Sequence, residues 1–324
     1  MPPRSRLHRL AGLLIASLAL LLAACGEPPA DPLRVGSNVW PGYEPLYLAR
    51  ELGAYDRAAV HLVELPSATQ VMHQLRSGNL EAGCLTLDEA IGQIARGLDL
   101  QVVLVMDFSS GADVLLARPP IETLAQLRGK RIGVEQTGTG AILLDGALRA
   151  AGLEPGEVKL EYLPVDQHEQ AWRDHRVDAV VTFEPVMSRL LADGARILFD
   201  SSRIPGRIVD VLVVTRRAAE TRGPELRHLL AGYFRAREVM RHDPERANRL
   251  MAPRLRVSPD AVPALFEGIV LPDLATNRRL LGGRPTPLEH TAQELARLMA
   301  ANRLLTVVPD LAGLTRDDFL PGQP

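Results

Sequence analysis

The sequence predicts a mixed α/β protein of two lobes, because short β-branched runs alternate with amphipathic helical stretches and this alternation starts twice. The first series begins at Leu33 and the second at Arg131. The chain has 324 residues, and a single hydrophobic core stops growing at roughly 250–300 residues. Length and alternation therefore both favour two lobes over one.

The first series contains five runs with strand character, and helix signals follow three of them. Pro45 is typical of a helix first turn and predicts a helix over 46–55. Ser67 and Thr86 each open a capping box directly after a strand. The predicted strands are Leu33–Val39, Val60–Leu65, Ala82–Leu85, Val102–Met106 and Val114–Ala117.

The second series repeats this pattern, and the remainder of the chain is mostly helical. Strands are predicted over Arg131–Glu135, Val158–Leu163, Asp178–Thr182 and Arg196–Phe199, with helices over Gly138–Ala151 and Gln167–His175. The β-branched run 208–214 is expected to return the chain to the first sheet. Later helices are expected over Pro224–His242, Pro244–Met251, Pro259–Ile269 and Leu288–Asn302. Lobe 1 then comprises residues 33–115 and 210–324, lobe 2 comprises 116–209, and two apolar crossings between them form a hinge.

The amino terminus has the pattern of an export signal. Residues 1–9 are basic, and the uncharged run 10–24 is shorter than the ~20 residues that span a bilayer. Small residues precede Cys25, which resembles a bacterial lipoprotein box. We expect residues 1–24 to be a lipoprotein signal peptide, Cys25 to carry the lipid anchor on the periplasmic side of a bacterial membrane, and 25–32 to be a linker. The alternative is an ordinary signal peptide.

Charge and cysteine content exclude other classes of protein. The formal charge is −2, and three arginines lie in the first 24 residues, so residues 25–324 carry −5. This balance argues against a nucleic-acid partner. Cys84 is the only cysteine besides Cys25, so we predict no disulfide and assign its thiol to the core.

Several segments, taken in order, resemble the nitrate/sulfonate/taurine family of periplasmic substrate-binding proteins. They are Val-Gly-Ser-Asn-Val-Trp-Pro-Gly-Tyr within 33–50, Asp-Phe-Ser-Ser-Gly-Ala-Asp at 107–113, Leu-Arg-Gly-Lys-Arg-Ile-Gly-Val-Glu at 127–135, Val-Asp-Ala-Val-Val-Thr-Phe-Glu-Pro at 177–185, and the closing Phe-Leu at 319–320. The resemblance implies a type II periplasmic-binding-protein fold with two α/β lobes, a two-crossing hinge and a ligand cleft between the lobes. It also implies a monomeric, non-enzymatic solute receptor of an ABC importer, whose partners are a permease and its ATPase.

The ligand is expected at the strand carboxyl ends, where loops and helix amino termini converge. From lobe 1 we expect contacts from Asn38, Trp40 and Gly42, which follow the first strand, and from Ser67 and Thr86, whose hydroxyls could instead only cap helices. In lobe 2 the segment Thr137, Gly138 and Thr139 follows a strand and offers free backbone amides, although the glycines there are equally typical of a tight turn. We also expect a ligand contact from Ser109, in the segment 107–113.

Three acids are also candidate ligand residues. Asp107, Asp113 and Glu184 lie at strand ends beside apolar runs, where a carboxylate is costly to bury without a partner. They favour a zwitterion or amine-bearing solute, in addition to the sulfonate or taurine that the resemblance implies. A cap, a salt bridge or a hinge hydrogen bond is the alternative for each.

Catalytic and cofactor motifs are missing from the sequence. Gly138-x-Gly140 lacks the third glycine of a dinucleotide site, and His168 lacks the second histidine of a zinc-protease helix. No cofactor, metal or catalytic residue is therefore predicted. Two alternatives to an importer component remain: a sensor that docks on a membrane signalling partner, and an enzyme on this fold similar to the pyrimidine synthases.

Overall fold

The computed structural model describes residues 31–136 and 138–322, and it contains two separate β-sheets. Both sheets belong to one unit that begins at Leu33. The predicted signal peptide, Cys25 and most of the predicted linker lie outside the described residues, as does Thr137.

The first sheet has six strands in the order β11-β4-β10-β3-β1-β2. Strands β1 and β2 are parallel, as are β1 and β3, whereas β10 runs antiparallel between β3 and β4. The predicted return of the chain to this sheet is therefore confirmed. The strands are β1 Leu33–Ser37, β2 Val60–Glu64, β3 Ala82–Thr86, β4 Leu100–Ser109, β10 Val209–Thr215 and β11 Ile269–Val270.

The second sheet has five strands in the order β7-β6-β8-β5-β9. Here β6 is parallel to β7 and β8, and β5 is antiparallel to β8 and β9. The strands are β5 Asp113–Ala117, β6 Arg131–Val134, β7 Lys159–Tyr162, β8 Ala179–Phe183 and β9 Arg196–Asp200. Residues 113–115, which were expected in lobe 1, thus lie in the second sheet, because the chain crosses over within the short turn that follows Ser109.

Helices pack on both sheets and bury their apolar faces. In the first series they are α1 Glu44–Glu51, α2 Ala68–Arg76 and α3 Leu87–Ala95, and in the second α4 Gly138–Ala151, α5 His168–Arg173 and α6 Val186–Ala192. The remainder are α7 Arg216–Thr221, α8 Gly223–His242, α9 Pro244–Leu255, α10 Leu274–Leu281 and α11 Pro287–Ala301. The expected caps are present: Ser67 accepts from the amide of Gln70, and Glu89 accepts from the amide of Thr86 at 3.0 Å.

The helix predicted over 259–269 is wrong. Two 3₁₀ turns, Pro259–Ala261 and Pro263–Phe266, occupy this segment and lead into β11. Pro263 lacks the amide that a continuing helix would need. Gly268 has φ +77°, and a Cβ on it would lie 2.7 Å from the amide nitrogen of Ala112. Only glycine therefore fits at position 268, where the chain packs against the first crossing.

The two crossings between the sheets are joined by hydrogen bonds. The Ser109 and Ser201 hydroxyl oxygens are 2.7 Å apart, and the Gly111 amide donates to Ser201 Oγ at 2.7 Å. The Ser109 amide also donates to the carbonyl of Ile208. Ser109, predicted as a ligand residue, thus connects the crossings.

Cys84 is fully buried in the core of the first sheet with a free thiol, as predicted.

At the amino ends of the two sheets, an acid just before one strand is paired with an arginine of the neighbouring strand. Glu81, just before β3, accepts from the amide and the guanidinium of Arg34 in β1, at 2.8 and 3.0 Å. Asp178, just before β8, accepts from the amide and the guanidinium of Arg131 in β6, at 2.9 and 2.7 Å. Burial is the largest single influence on Glu81 and raises its pKa, but the hydrogen bonds and charge of Arg34 together outweigh it; at Asp178 the hydrogen bond from Arg131 is the largest influence, and the pKa of both carboxyls is lowered.

Candidate functional site

A cleft lies between the carboxyl ends of the parallel strands of the two sheets. It contains about 550 Å³ of space not filled by atoms, part of which is open to solvent. The residues that line it come from both sheets and the loops after them: Asn38, Trp40, Tyr43, Ala68, Thr86, Glu89, Asp113, Glu135, Thr139, Gly140, His168, Val181, Phe183 and Asp210.

Strand register builds the wall that belongs to the first sheet. Asp210 in β10 is paired with Thr86 of β3 on one side and with Asp107 of β4 on the other. Residues directly opposite in a sheet have Cβ atoms about 4.5–5.5 Å apart, so the Asp107 and Asp210 carboxyls are neighbours. The indole N–H of Trp40 donates to Asp107 Oδ2 at 3.0 Å, and the Tyr43 hydroxyl donates to Asp210 Oδ1.

Gly42 lies directly against this group. A Cβ at this position would be 1.8 Å from Asp107 Oδ2 and 2.5 Å from the indole nitrogen of Trp40. Glycine is therefore required here for the close approach of the loop to β4.

The second sheet supplies the opposite wall. Asp113, the first residue of β5, is paired with Phe183, the last residue of β8. Glu135 directly follows β6, and Thr139 lies in the first turn of α4. The acidic residues of this wall thus come from the same edge of the sheet, although they are far apart in sequence.

Hydrogen bonds join the two walls. Glu135 Oε1 accepts from the amide and hydroxyl of Thr69 in α2, at 3.1 and 2.6 Å. The hydroxyls of Thr86 and Thr139 are 2.6 Å apart, and the Thr139 hydroxyl donates to Asp88 Oδ1 at 3.1 Å. The segments after the strands of one sheet are therefore in direct contact with those of the other.

The carboxyls of the cleft are buried, and burial is the main cause of their shifted pKa values. It raises the pKa of Asp113 to about 6, that of Asp88 to about 7 and that of Glu89 to about 8. Burial also raises the pKa values of Asp107 and Asp210; the charge of Asp107 raises that of Asp210 further, whereas a hydrogen bond with Asp210 opposes the rise at Asp107.

Burial also raises the pKa of Glu135, and the hydrogen bonds from Thr69 and Ser67 oppose that rise.

Histidine brings no positive charge to the cleft. His168 is buried, with Nε2 3.0 Å from the carbonyl of Leu163 and Nδ1 3.2 Å from the hydroxyl of Thr182. The carbonyl can only accept, so Nε2 carries the proton and Nδ1 accepts from Thr182. Burial lowers the pKa of His168 to about 4, and the imidazole is neutral near pH 7.

Aromatic rings give the cleft an apolar part. The Trp40 and Phe183 rings meet edge to face across it, with centroids 5.3 Å apart and an interplanar angle of 85°. The Trp40 loop is held from behind by Arg254, which donates to the carbonyl of Asn38 at 3.0 Å and stacks on Tyr47.

The structure brings five of the predicted ligand residues into the cleft: Asn38, Trp40, Thr86, Asp113 and Thr139. Asp107 and Gly42 lie immediately behind Trp40, Ser67 caps α2, and Gly138 begins α4. Glu184 is outside the cleft lining: it accepts from the amide and hydroxyl of Ser188, at 3.1 and 2.7 Å, and caps α6. Its side chain performs the capping role given above as the alternative.

The remaining polar lining residues were missed as ligand candidates. Asp210 lies within a continuous β-branched run, and only its register with Thr86 and Asp107 places it at the cleft. Glu89 belongs to the capping box that Thr86 opens, and Glu135 ends the predicted strand Arg131–Glu135, so neither was a ligand candidate. A charged residue inside an apolar strand is the one sequence signal that could have identified Asp210.

Residues 31–136 and 138–322 contain no group of three histidine, cysteine or acidic side chains arranged to hold a metal ion. They also contain no helix with the length and apolar character of a membrane span.

Comparison with known proteins identifies relatives that cover most of the chain. A protein of Escherichia coli strain K12 named as an aliphatic sulfonates-binding protein is 28% identical over 250 residues, which are 75% of this chain and 76% of the relative. The taurine-binding periplasmic protein of the same strain is 26% identical over 232 residues, 68% of this chain and 70% of the relative.

Solved structures show the fold. The alkanesulfonate-binding protein SsuA from Xanthomonas axonopodis pv. citri, bound to MOPS, superposes with a TM-score of 0.71 at 22% identity, over 89% of this chain and 97% of that one. The expected periplasmic-binding-protein fold is confirmed, as is the resemblance found in the sequence. Residues 26–254 match the model of the NMT1-like family, and the chain belongs to that family.

Proposed function

We propose that this protein is the extracytoplasmic solute-binding component of an ABC importer, and that it delivers a small organic solute from its cleft to the permease. The observation that carries the proposal is the cleft itself, which is formed where the carboxyl ends of parallel strands of two sheets face each other and is lined by both sheets. The two relatives named for sulfonate and taurine binding support the same class of function.

The two sheets with their helices correspond in this proposal to the two lobes, with residues 116–209 forming most of the second. The crossings near Ser109 and Ser201 are the hinge on which the lobes close. The contacts from Thr69 to Glu135 and from Thr86 to Thr139 then belong to the closed form, because they join the lobes directly over the cleft.

Binding is favoured over catalysis. The named relatives are binding proteins. The thiol that the enzyme alternative would use belongs to Cys84, which is buried in β3, and burial raises its pKa. A buried thiol with a raised pKa is a poor nucleophile.

The function is tested by asking what the protein binds and what the bound form does. The native protein is purified without added solute, denatured, and its released small molecules are identified by mass spectrometry. The same compound should raise the melting temperature by mass action and should stimulate ATP hydrolysis by the partner permease complex. Chemical conversion of the compound would show an enzyme instead, and loss of ATPase stimulation with binding retained would show a sensor.

The membrane tether is a separate part of the proposal. We infer that residues 1–24 direct export and that acylated Cys25 anchors the protein at the periplasmic face of a membrane. Cys25→Ser is expected to release the full-length protein into the soluble periplasmic fraction with its solute affinity unchanged. Continued fractionation of the Cys25→Ser protein with membranes would contradict the anchor.

A further inference from the structure

The described lining of the cleft is acidic. Glu89, Asp113, Glu135 and Asp210 reach its surface from four different elements, and no lysine or arginine is among the described lining residues. Among these residues, His168 alone could carry a positive charge, and burial lowers its pKa to about 4 against the opposing hydrogen bond to the carbonyl of Leu163, so it is neutral near pH 7. The described lining therefore provides no side-chain cation to meet an anionic ligand.

The nearby guanidinium groups are engaged elsewhere. Arg237 donates to the carbonyls of Leu271 and Pro272, at 3.0 and 2.9 Å. Arg254 bonds Glu44 and Glu64 on the far side of the Trp40 loop. Neither side chain reaches the cleft surface.

The carboxyls still have acceptor capacity. Asp113 is 5% exposed, and the Ser109 hydroxyl is the hydrogen-bonding partner identified for its carboxylate among the described residues. A carboxylate has about four lone-pair sites, so most of those of Asp113 are left for the cavity. Asp107 Oδ1, one layer behind, is buried without a donor. Oxygens in this state need a donor or a proton.

A bound sulfonate would increase the shortage of hydrogen-bond donors in the cleft. Its three oxygens are acceptors, and its negative charge would lie beside four acids in a poorly solvated cleft, where repulsion is strong. A protonated nitrogen has the opposite properties, since it brings several N–H donors and a positive charge. The ring faces of Trp40 and Phe183 also favour a cation or a flat apolar group.

We propose that the solute is a small organic cation, with its protonated nitrogen among Glu89, Asp113, Glu135 and Asp210 and its flat or apolar part against Trp40 and Phe183. This inference rests on the proposed function and names the ligand class for the same cleft. It separates this chain from the relatives named for sulfonates, although the fold is shared.

Matched probes test the ligand class. Primary amines, amidines and aminoheterocycles are paired with sulfonates of the same carbon skeleton, for example benzylamine with phenylmethanesulfonate, and taurine is added because it carries both groups. Melting temperature and calorimetry are measured at pH 8. Amine members should bind and their sulfonate partners should not. A sulfonate that binds as well as its amine partner overturns the ligand class and leaves the proposed function standing.

The outcome in which neither class binds is distinct. If no probe shifts the melting temperature and the native protein releases no small molecule, the solute-binding function fails as well, and the ligand class fails with it.

Proton release gives a second readout with an opposite sign for the two classes. The titratable groups that face the cleft or lie directly behind it are Tyr43, Asp88, Glu89, Asp107, Asp113, Glu135, His168 and Asp210. A cation should expel protons from the acids, so amine affinity should increase from pH 6 to pH 8, and calorimetry in buffers of different ionisation enthalpy should detect the released protons. Proton uptake on binding, or affinity that increases toward pH 6, would contradict a cationic ligand.

Charge-neutralising variants complete the test. Asp113→Asn and Glu135→Gln keep shape and remove charge, and each should weaken binding of the best amine at least tenfold, about 1.4 kcal/mol. Asp260→Asn, at an exposed carboxyl outside the cleft lining, is the matched control and should bind as the unmodified protein does. Melting temperatures without ligand establish that each variant is folded. Unchanged amine affinity in both cleft variants would remove the acids from the site.

Discussion

The two ends of each sheet treat carboxyl groups in opposite ways. At the amino ends, Glu81 and Asp178 each accept hydrogen bonds from an arginine side chain and from its own backbone amide. At the carboxyl ends, Asp113 and Asp210 have no arginine partner within residues 31–136 and 138–322, and they face a cavity. The pKa values of the first pair are lowered, whereas burial raises those of the second pair.

The difference separates a structural role from a binding role. A carboxylate that already has its cation stabilises the fold and gains little from a ligand. A buried carboxylate without one destabilises the fold until a cation or a proton arrives. Each sheet thus has one end at which the buried carboxyl is paired within the chain, and an opposite end at which it is left for a partner from outside the chain.

The largest expected effect is on the pH dependence of stability. Asp88, Asp107 and Glu89 retain protons in the folded state up to about pH 7–8 but are ionised when unfolded. The ligand-free protein should therefore lose stability as pH rises from 6.5 to 8, by about 1.4 kcal/mol per pH unit for each retained proton. His168 opposes this trend only below pH 6.5. Urea unfolding at a series of pH values measures the slope, and stability that rises over this range would contradict it.

The second prediction concerns a single cleft acid in the ligand-free protein. Asp113→Asn removes a buried charge, since the aspartate is ionised above its pKa of about 6. It should raise the free energy of unfolding by about 2–3 kcal/mol at pH 8 and by about half as much at pH 5, because the unfolded aspartate, with a pKa of about 3.9, is already ionised at pH 5. Asp260→Asn serves as the control and should stay within about 0.5 kcal/mol at both values. A loss of stability in Asp113→Asn would place this acid in the structural class.

The third prediction applies the same exchange to an amino end. Glu81→Gln weakens charge-assisted bonds to Arg34 and should cost about 1 kcal/mol, a figure reduced because both side chains are partly exposed. Solute affinity should not change. Denaturant midpoints measure the stability, and calorimetry measures the solute affinity. A tenfold loss of affinity would show that Glu81 does not have a purely structural role.

The smallest expected effect is on closure of the cleft. Thr69→Val removes the hydroxyl bond to Glu135 but keeps the amide bond, so ligand affinity should fall about threefold, or roughly 0.7 kcal/mol. Thr276→Val, at a helix start outside the cleft, is the comparison variant. Equal affinities for the two variants would show that the Thr69 hydroxyl does not hold the cleft closed.

Much of the fold could be predicted because local signals and tertiary packing agree. The caps at Ser67 and Thr86 and the β-branched run that became β10 are strong local patterns, and the structure confirms them. The segment 259–269 was mispredicted because its helical period is broken by Pro263 and by the close packing of Gly268 against the first crossing.

The site was less accessible to prediction than the fold. Trp40 and Asp113 could be placed at the cleft because each follows or begins a strand end. Asp210 and Glu135 depend on pairing between segments distant in sequence, and periodicity carries no information about such pairing. Asp210 lines the cleft because β10 runs antiparallel between two strands, a property of the sheet and not of its own segment.

The serine pair at the crossings has a mechanical consequence. Ser201 bonds both Ser109 and the amide of Gly111, whose φ of +120° is a conformation that glycine adopts readily. In the closing motion proposed above, two connecting segments bonded at one point would rotate together about that point and would resist sliding. A few degrees of torsion at Gly111 would then produce a larger displacement at the residues farthest from the crossings.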